Sequence, residues 1–566
     1  MAVNDTIQTL FPNAAQAERI AVALENMVEH SDSQSDNVIL AMLNETNYKT
    51  IMKLWFESNG SSGMTDLSAL CDRWYTLTRT GWDGGVAFND PAVSSISTGT
   101  ATGDNVGLVC VPSTNALANQ DDYAGKPLFA IADCNWMLDD SGEPHITSIS
   151  GISSAIPFER SNPARFVGVL QMSGWCKYSE SAGISYTWTY TDNIGESGYH
   201  PLSEAVRMDG TVRAWVVHAK YLAGDDFGCY SGVPPRPWDV SHNSVITSYH
   251  NAWGARYCGK TSADESFLKM MWFIKYKSLT MDDTLKGCIS YQFTNYKPAV
   301  AETGVQRVLL TTAQGATLLV GSTVCLGTAA YTSKASQASV VDRKKIVSIQ
   351  TVNVSGTDYS AVNIDNGGAT FDTTTAQFLT TMHWYTGACD NVKGNDGSPT
   401  SATSGKEPAK LQGIEFIVGG YEIISDCIMN YTNNGTTSYV TPHVCRDATK
   451  LATSITADYT ACNYNCACPA ANGWQYHKRL GYDPNRPEVS FATLTGGSSS
   501  TYYKDGTYLR GGETLTGAYE WLSGGALTGG ASAGLSCADA DDALSNAGWY
   551  FLSRLSATGN RGEWTA

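Results

Sequence analysis

Apolar residues in the first sixty positions recur at helical spacing. Ile20, Leu24, Met27 and Val28 share one face of a helix that Asn13, just after Pro12, would cap. Ile39, Leu43, Ile51, Leu54 and Trp55 mark a second helical stretch. Residues 1–60 therefore read as a helical N-terminal region, packed on the body or serving as a docking or oligomerisation element. From 61 to 165 the chain is rich in Gly, Ser, Thr and Asp, with short apolar runs. The run 106–111 predicts a weak strand that stops at Pro112, and 126–138 a better one. Strands are clearer between 166 and 300, at 166–170 and 212–221. The run 267–274 is apolar nearly all round, which marks a buried element but leaves helix and strand both open. Residues 301–375 read as a small β barrel or sandwich, with strands at 317–324, 345–350 and 359–364. Residues 376–566 form a last module that begins with a polar, Gly-rich loop (390–410) and a buried run (414–418). The fold expected is α+β, β-rich and multidomain.

Composition agrees with this organisation. The chain has 566 residues, 54 of them Gly, with only 16% charged and 10% aromatic. That describes a packed, loop-rich β protein rather than a solvated tail. A net charge of -17 argues against nucleic acid as a partner, which would need a basic footprint. No basic segment followed by an apolar run opens the chain, and no stretch is apolar enough to span a membrane. The expectation is a protein made and folded in a cytoplasm, with its fifteen cysteines unpaired.

Sites with chemistry are few. Cys445, Cys462, Cys466 and Cys468 form the densest cysteine group, but their spacing is not that of a zinc knuckle. The nine histidines make no paired metal motif, and His218 and His242 read as hydrogen-bonded structural residues. Asp390 and Asn391, with Asn395, Asp396 and Gly397, offer oxygens that Ca²⁺ would accept, in a stretch that also reads as a turn-rich loop. No nucleophile elbow, phosphate loop or dinucleotide fingerprint stands in a strand–turn–helix context.

The closing stretch carries most information. Trp521, Leu522, Gly524, Gly525, Ala533, Gly534, Leu535, the run 543–547, Trp549, Arg554 and Leu555 look fixed by packing. Between them Ala526, Thr528, Gly529, Ala531, Ser532, Cys537, Asp539, Asp541, Asp542, Gly548, Tyr550, Phe551 and Leu552 share no chemistry. A rigid frame displaying arbitrary side chains explains this scatter where amphipathicity does not. Trp521, Leu535, Leu544, Trp549 and Leu555 would anchor the core, and Arg554 would be a buried, hydrogen-bonded cation. Tyr550, Phe551 and Leu552 would offer apolar contact, and the three Asp residues would accept hydrogen bonds.

The ending GGALTGGASAGLSCADADDALSNAGWYFLSRLS resembles the variable region of proteins diversified by retroelements, the tropism-determinant-like receptor-binding proteins of phages. Residues 386–426 and 241–271 are similar to receptor-binding proteins of gut phages. The resemblance thus covers much of 166–566. It implies a C-type lectin fold of the formylglycine-generating-enzyme subtype, with the thirteen residues named above as the ligand-binding face. It further implies no catalysis, a homotrimer on the virion surface, a bacterial surface protein or glycan as receptor, and an N-terminal region held by other virion proteins. Adenine mutagenesis of AAC codons cannot yield Met, Trp, Gln, Lys or Glu, and none of these occupies the thirteen positions. Few Asn remain there, as in a diversified copy or a relative that no longer diversifies. Two enzymatic alternatives stay open. An oxidase of the same fold would need a reactive cysteine pair, of which only Cys537 is present. A tailspike-type glycan depolymerase would need a carboxylate pair.

Overall fold

The structure, a computed structural model, describes residues 47–564 apart from Pro237 and Asp239. The helix positions expected from Ile20 to Leu43 lie outside the described residues. Ile51, Leu54 and Trp55 fall on helix α1 (Tyr48–Ser58), which packs against α2 (Ser68–Leu77). The contact between them is aromatic: the Trp55 and Trp74 rings are 5.4 Å apart, and the Trp74 indole N–H donates to the Tyr48 hydroxyl at 2.9 Å.

Among the described residues strand outweighs helix and is arranged in seven sheets. Pro144–Ile149, Ile131–Leu138, Phe166–Met172 and Trp215–Ala219 form, in that order, a four-stranded antiparallel sheet. Phe166–Met172 is buried at every position, so it reads in the sequence as a continuous apolar run. The run 106–111 is not a strand. Gly107 turns the chain at φ 81°, Val106, Val109 and Val111 are exposed, and Cys110 makes an isolated bridge to Asp121.

A five-stranded antiparallel sheet follows the order Arg307–Thr311, Thr357–Ile364, Val341–Val354, Thr323–Gly327, Phe378–Met382. Its long hairpin reverses at Ser355 and Gly356, both at positive φ (51° and 87°), the backbone pattern that matches strand twist. Residues 317–322 stay outside the sheet: the chain turns at Gly321 (φ 90°) and the strand starts only at Thr323. The last strand of this sheet lies beyond residue 375. Val308, Leu310, Val324, Leu326, Val362 and Leu379 give it a core of its own. A larger cluster of buried side chains runs from Tyr48 to Ala557 and joins most of the remaining segments, with smaller separate clusters around Met429 and Trp521 and around Ile428 and Cys445.

The ambiguous run 267–274 belongs to a helix. Helix α3 (His242–Trp253) and helix α4 (Ser262–Tyr276) each begin in a reciprocal cap, Ser241 with Ser244 and Thr261 with Asp264. Such caps satisfy backbone N–H groups that a helix start leaves unpaired, and α4 lies almost wholly inside the protein. Its buried charges are all matched. Glu265 meets Lys260 at 2.8 Å and Lys269 at 3.1 Å, and Lys275 meets Asp396 at 2.8 Å.

His218 stacks on Phe267 (centroids 4.1 Å apart), with Nδ1 2.8 Å from Asp264 and Nε2 3.4 Å from Glu204 Oε1. Burial opposes its charge, but hydrogen bonding to these two carboxylates prevails and lifts it to about 9. A raised histidine stabilises the fold fully below its unfolded value of about 6.5, and that stability drains away as pH rises through about 9. The contribution is on the order of 3 kcal/mol. Thermal unfolding profiles of the protein and of His218→Gln should therefore converge between pH 7 and pH 10, roughly. Parallel profiles would refute the assignment. The difference between the two isolates His218 from Lys277 and Lys410, which burial pushes down to about 8.

Candidate ligand-binding face

The C-terminal stretch is woven into a seven-stranded mixed sheet. Its order is Ala492–Thr495, Gly473–Leu480, Gly506–Leu509, Ala538–Asp539, Leu522–Ser523, Tyr421–Ile423, Phe551–Leu552. Two pairs are parallel, Thr507 with Ala538 and Tyr421 with Phe551. Leu555–Ser556 then pairs with Cys258–Gly259 between α3 and α4. The chain end is thereby tied to the middle of the sequence.

Most frame residues have visible packing reasons, but within the run 543–547 only Leu544 is buried, and Ser545, Asn546 and Ala547 are exposed. Trp521, Leu522, Leu535, Leu544 and Leu555 are buried, and Trp549 is partly buried between Tyr331 and His383. Gly525 (φ 148°) runs so close to Ala533 that a Cβ would collide with the Ala533 methyl, and a Cβ on Gly534 (φ 154°) would strike the Asp505 carboxylate. Arg554 is fully enclosed. It grips Glu422 in bidentate fashion (2.9 and 3.1 Å) and donates to the carbonyls of Ala219 at 3.0 Å and Glu415 at 2.6 Å.

The thirteen display positions separate into two groups. Thr528, Gly529, Ala531, Ser532, Asp539, Asp541, Asp542, Gly548 and Tyr550 are exposed or half-exposed. Ala526, Cys537, Phe551 and Leu552 are not: they are 3%, 0%, 1% and 0% exposed. Phe551 and Leu552 form a strand covered on both sides, Phe551 by the main core and Leu552 by the core of the five-stranded sheet. These four are core residues and present no side chain to a ligand. Gly529 is half-exposed yet hemmed in, since a Cβ there would lie 2.5 Å from the Ala533 methyl.

The exposed group is continuous. Ser532 abuts Gly506 and lies 3.5 Å from the Tyr476 hydroxyl. Tyr508 registers with both Trp474 and Asp539 and makes an edge contact with the Trp474 ring at 5.4 Å. The acceptor oxygens of Asp539, Asp541 and Asp542 all lie within 4.8 Å of one another. Tyr550 follows, packed on Tyr421 at 6.1 Å. Trp474, Tyr476 and Tyr508 complete the face and were missed in the sequence. Their alternate spacing (474, 476) is a period-2 signal that points aromatic rings to one side of a strand.

Burial first, then the charges of Asp541 and Asp542, push the Asp539 carboxyl well above its usual range. Asp542 is raised for the same reasons, against a hydrogen bond from Asn546 at 2.6 Å. Glu520 lies beneath, raised by burial, with one oxygen accepting from the His242 N–H at 3.0 Å. The face is thus an acidic cluster flanked by aromatic rings, in which burial and mutual repulsion favour the neutral form of Asp539 and Asp542. These three Asp residues could hold a hard cation, and the other group of metal-sized spacing among the described residues, Cys110 with Asp121 and Asp396, already holds the Lys275 ammonium.

The metal candidates read from the sequence have other partners. Asp390 accepts from Tyr221 and Ser231, whereas Asp396 accepts from Tyr276 and pairs with Lys275. A Ca²⁺ at Asp390, Asn391, Asn395, Asp396 and Gly397 would compete with these protein partners for both carboxylates. Cys445, Cys462 and Cys466 are buried among apolar side chains of two different clusters, with Cys468 at the edge of one. Among the described residues they form no metal-sized group. Burial raises all four thiols. A scan against protein-family models finds no match for the chain, and a search of curated proteins finds none.

Proposed function

We infer that the chain is a receptor-binding protein of a phage virion that engages a bacterial surface protein or glycan through the face running from Thr528 to Tyr550. The supporting observation is the segregation within one segment. Seven unrelated side chains and two glycines reach solvent beside a buried frame of Trp521, Leu522, Leu535, Leu544 and Leu555. A scaffold of this kind tolerates exchange of its exposed residues because they do not fill the core. The rings of Tyr550, Tyr508 and Trp474 suit the apolar faces of sugars or an apolar protein patch, and Asp539, Asp541 and Asp542 suit hydroxyl or basic groups. The homotrimer, the C-type-lectin-like fold and the attachment of residues 1–60 to other virion proteins belong to the same proposal. Several linked copies would raise weak contacts by about 10²–10⁴ in avidity.

Exchanging Thr528, Ala531, Ser532, Asp541, Asp542 and Tyr550 together for the residues of another allele should redirect binding to different host cells, with the unfolding midpoint unchanged. Unchanged cell binding by such a protein would sink the reading. The gathered carboxylates favour one second reading, a glycan depolymerase in which Asp539, its carboxyl pushed up by burial and its acidic neighbours, acts as general acid. Release of reducing ends from host capsule by the protein, lost in Asp539→Asn, would establish it. An oxidase gains no support, because Cys537 is fully buried and its thiol is pushed well up, away from a thiolate.

A further inference from the structure

A second site lies elsewhere and shares no residue with the display face. Helix α1, the ends of Ile131–Leu138 and Pro144–Ile149, and the loop 390–395 enclose a cavity of about 470 Å³, the size of a sugar or small-cofactor pocket. Six cations line it, Lys49, Lys53, Arg160, Lys220, Lys393 and Lys410, against two carboxylates, Asp133 and Asp390. Its lining therefore carries a net charge of +4 (6 − 2) in a chain whose net charge is -17.

The pairing inside the cavity is incomplete. Lys220 and Arg160 share Asp133, at 2.8 and 2.5 Å, and both reach Asp390 only at 3.8 and 3.9 Å. Asp390 is also occupied by the hydroxyls of Tyr221 and Ser231. The Arg160 Nε–H is buried without an acceptor among the described residues. Lys53 is matched by Glu57 on its own helix. Lys410 is 6% exposed, and its ammonium donates to one carbonyl, that of Val392 at 2.8 Å, with no carboxylate in ion-pair range among the described residues. Lys393 on the rim donates to the carbonyl of Ala116 at 2.7 Å. A buried ammonium held only by a carbonyl is costly unless a countercharge arrives. Burial accordingly pushes Lys410 down to about 8.

We propose that this cavity binds a small anionic ligand, a sugar-sized molecule bearing a carboxylate or phosphate, with Lys410, Lys393 and Arg160 as its charge partners. Charge-assisted hydrogen bonds from a fixed guanidinium and two ammonium groups are the arrangement that recognises such oxyanions. The acidic display face repels the same ligands, so the two sites would read opposite chemistries on one molecule.

The test is calorimetric titration of the full chain with glucuronate, glucose and inorganic phosphate at millimolar concentration. Glucuronate or phosphate should bind, glucose should not, and added salt should weaken the binding. Binding by glucuronate alone assigns a sugar acid, and by phosphate alone a phosphoryl ligand. Lys410→Met should weaken binding by about tenfold or more. Lys393→Gln, an exposed change that leaves the fold intact, should weaken it several-fold. Absence of heat with both anions, or equal affinity in a folded Lys393→Gln protein, overturns the proposal.

Discussion

Arg554→Met is expected to destabilise the protein by about 3–5 kcal/mol, the usual cost of removing one partner from a buried ion pair. Arg554 closes a chain of enclosed charges. Its guanidinium holds Glu422, Glu422 lies 3.5 Å from Lys260, Lys260 holds Glu265, and Glu265 holds Lys269. Burial works against the Glu422 carboxylate, yet the charges of Arg554 and Lys260 keep it below its usual range. Without Arg554 the carboxylate keeps only the more distant lysine, and the carbonyls of Ala219 and Glu415 lose their donor. Arg554→Lys should recover little, since an ammonium cannot span both Glu422 oxygens and both carbonyls. The double variant Arg554→Met/Glu422→Met should cost less than Arg554→Met alone, because no charge is then stranded. Urea unfolding of the four proteins checks this, and a loss below about 1 kcal/mol in Arg554→Met would contradict it.

That network shows how far the sequence could be read. The burial of Arg554 was legible from its place in a fixed frame beside Leu555. Its partners were not, because Glu422 lies 132 positions away and nothing local marks the pairing. The strands expected at 166–170 and 212–221 were legible from their apolar runs, although the second spans only Trp215–Ala219. The run 267–274 was not assignable, since an element buried on all sides erases the difference between periods of 2 and 3.6. The run 106–111 misled for the opposite reason: its valines are exposed, and Gly107 decides the backbone. The cationic cavity left no trace at all. Its charges come from positions as far apart as Lys49 and Lys410, gathered by the fold alone.

Phe551→Ser is expected to cost about 3–5 kcal/mol, whereas Tyr550→Ser beside it should cost under about 1 kcal/mol and act on binding instead. The sequence puts both residues in one class, and the structure divides them. Phe551 is 1% exposed, paired with Tyr421 in the sheet and packed into the main core. Tyr550 keeps a half-exposed ring against Tyr421. A polar residue at Phe551 leaves a cavity and a hydroxyl without partners, two separate penalties. The same reasoning holds for Leu552, Cys537 and Ala526. In a library randomised at all thirteen positions and sorted for folded protein, these four should stay small or apolar. Thr528, Ala531, Ser532, Asp541, Asp542 and Tyr550 should accept nearly anything, and Gly529 should stay glycine because its Cβ has no room. Equal tolerance at Phe551 and Tyr550 would refute this division of the segment. If the division holds, the recognition repertoire is narrower than the mutable sequence. On the proposed function, diversity at the exposed positions would change what the face binds, and diversity at the buried four would chiefly decide whether there is a face.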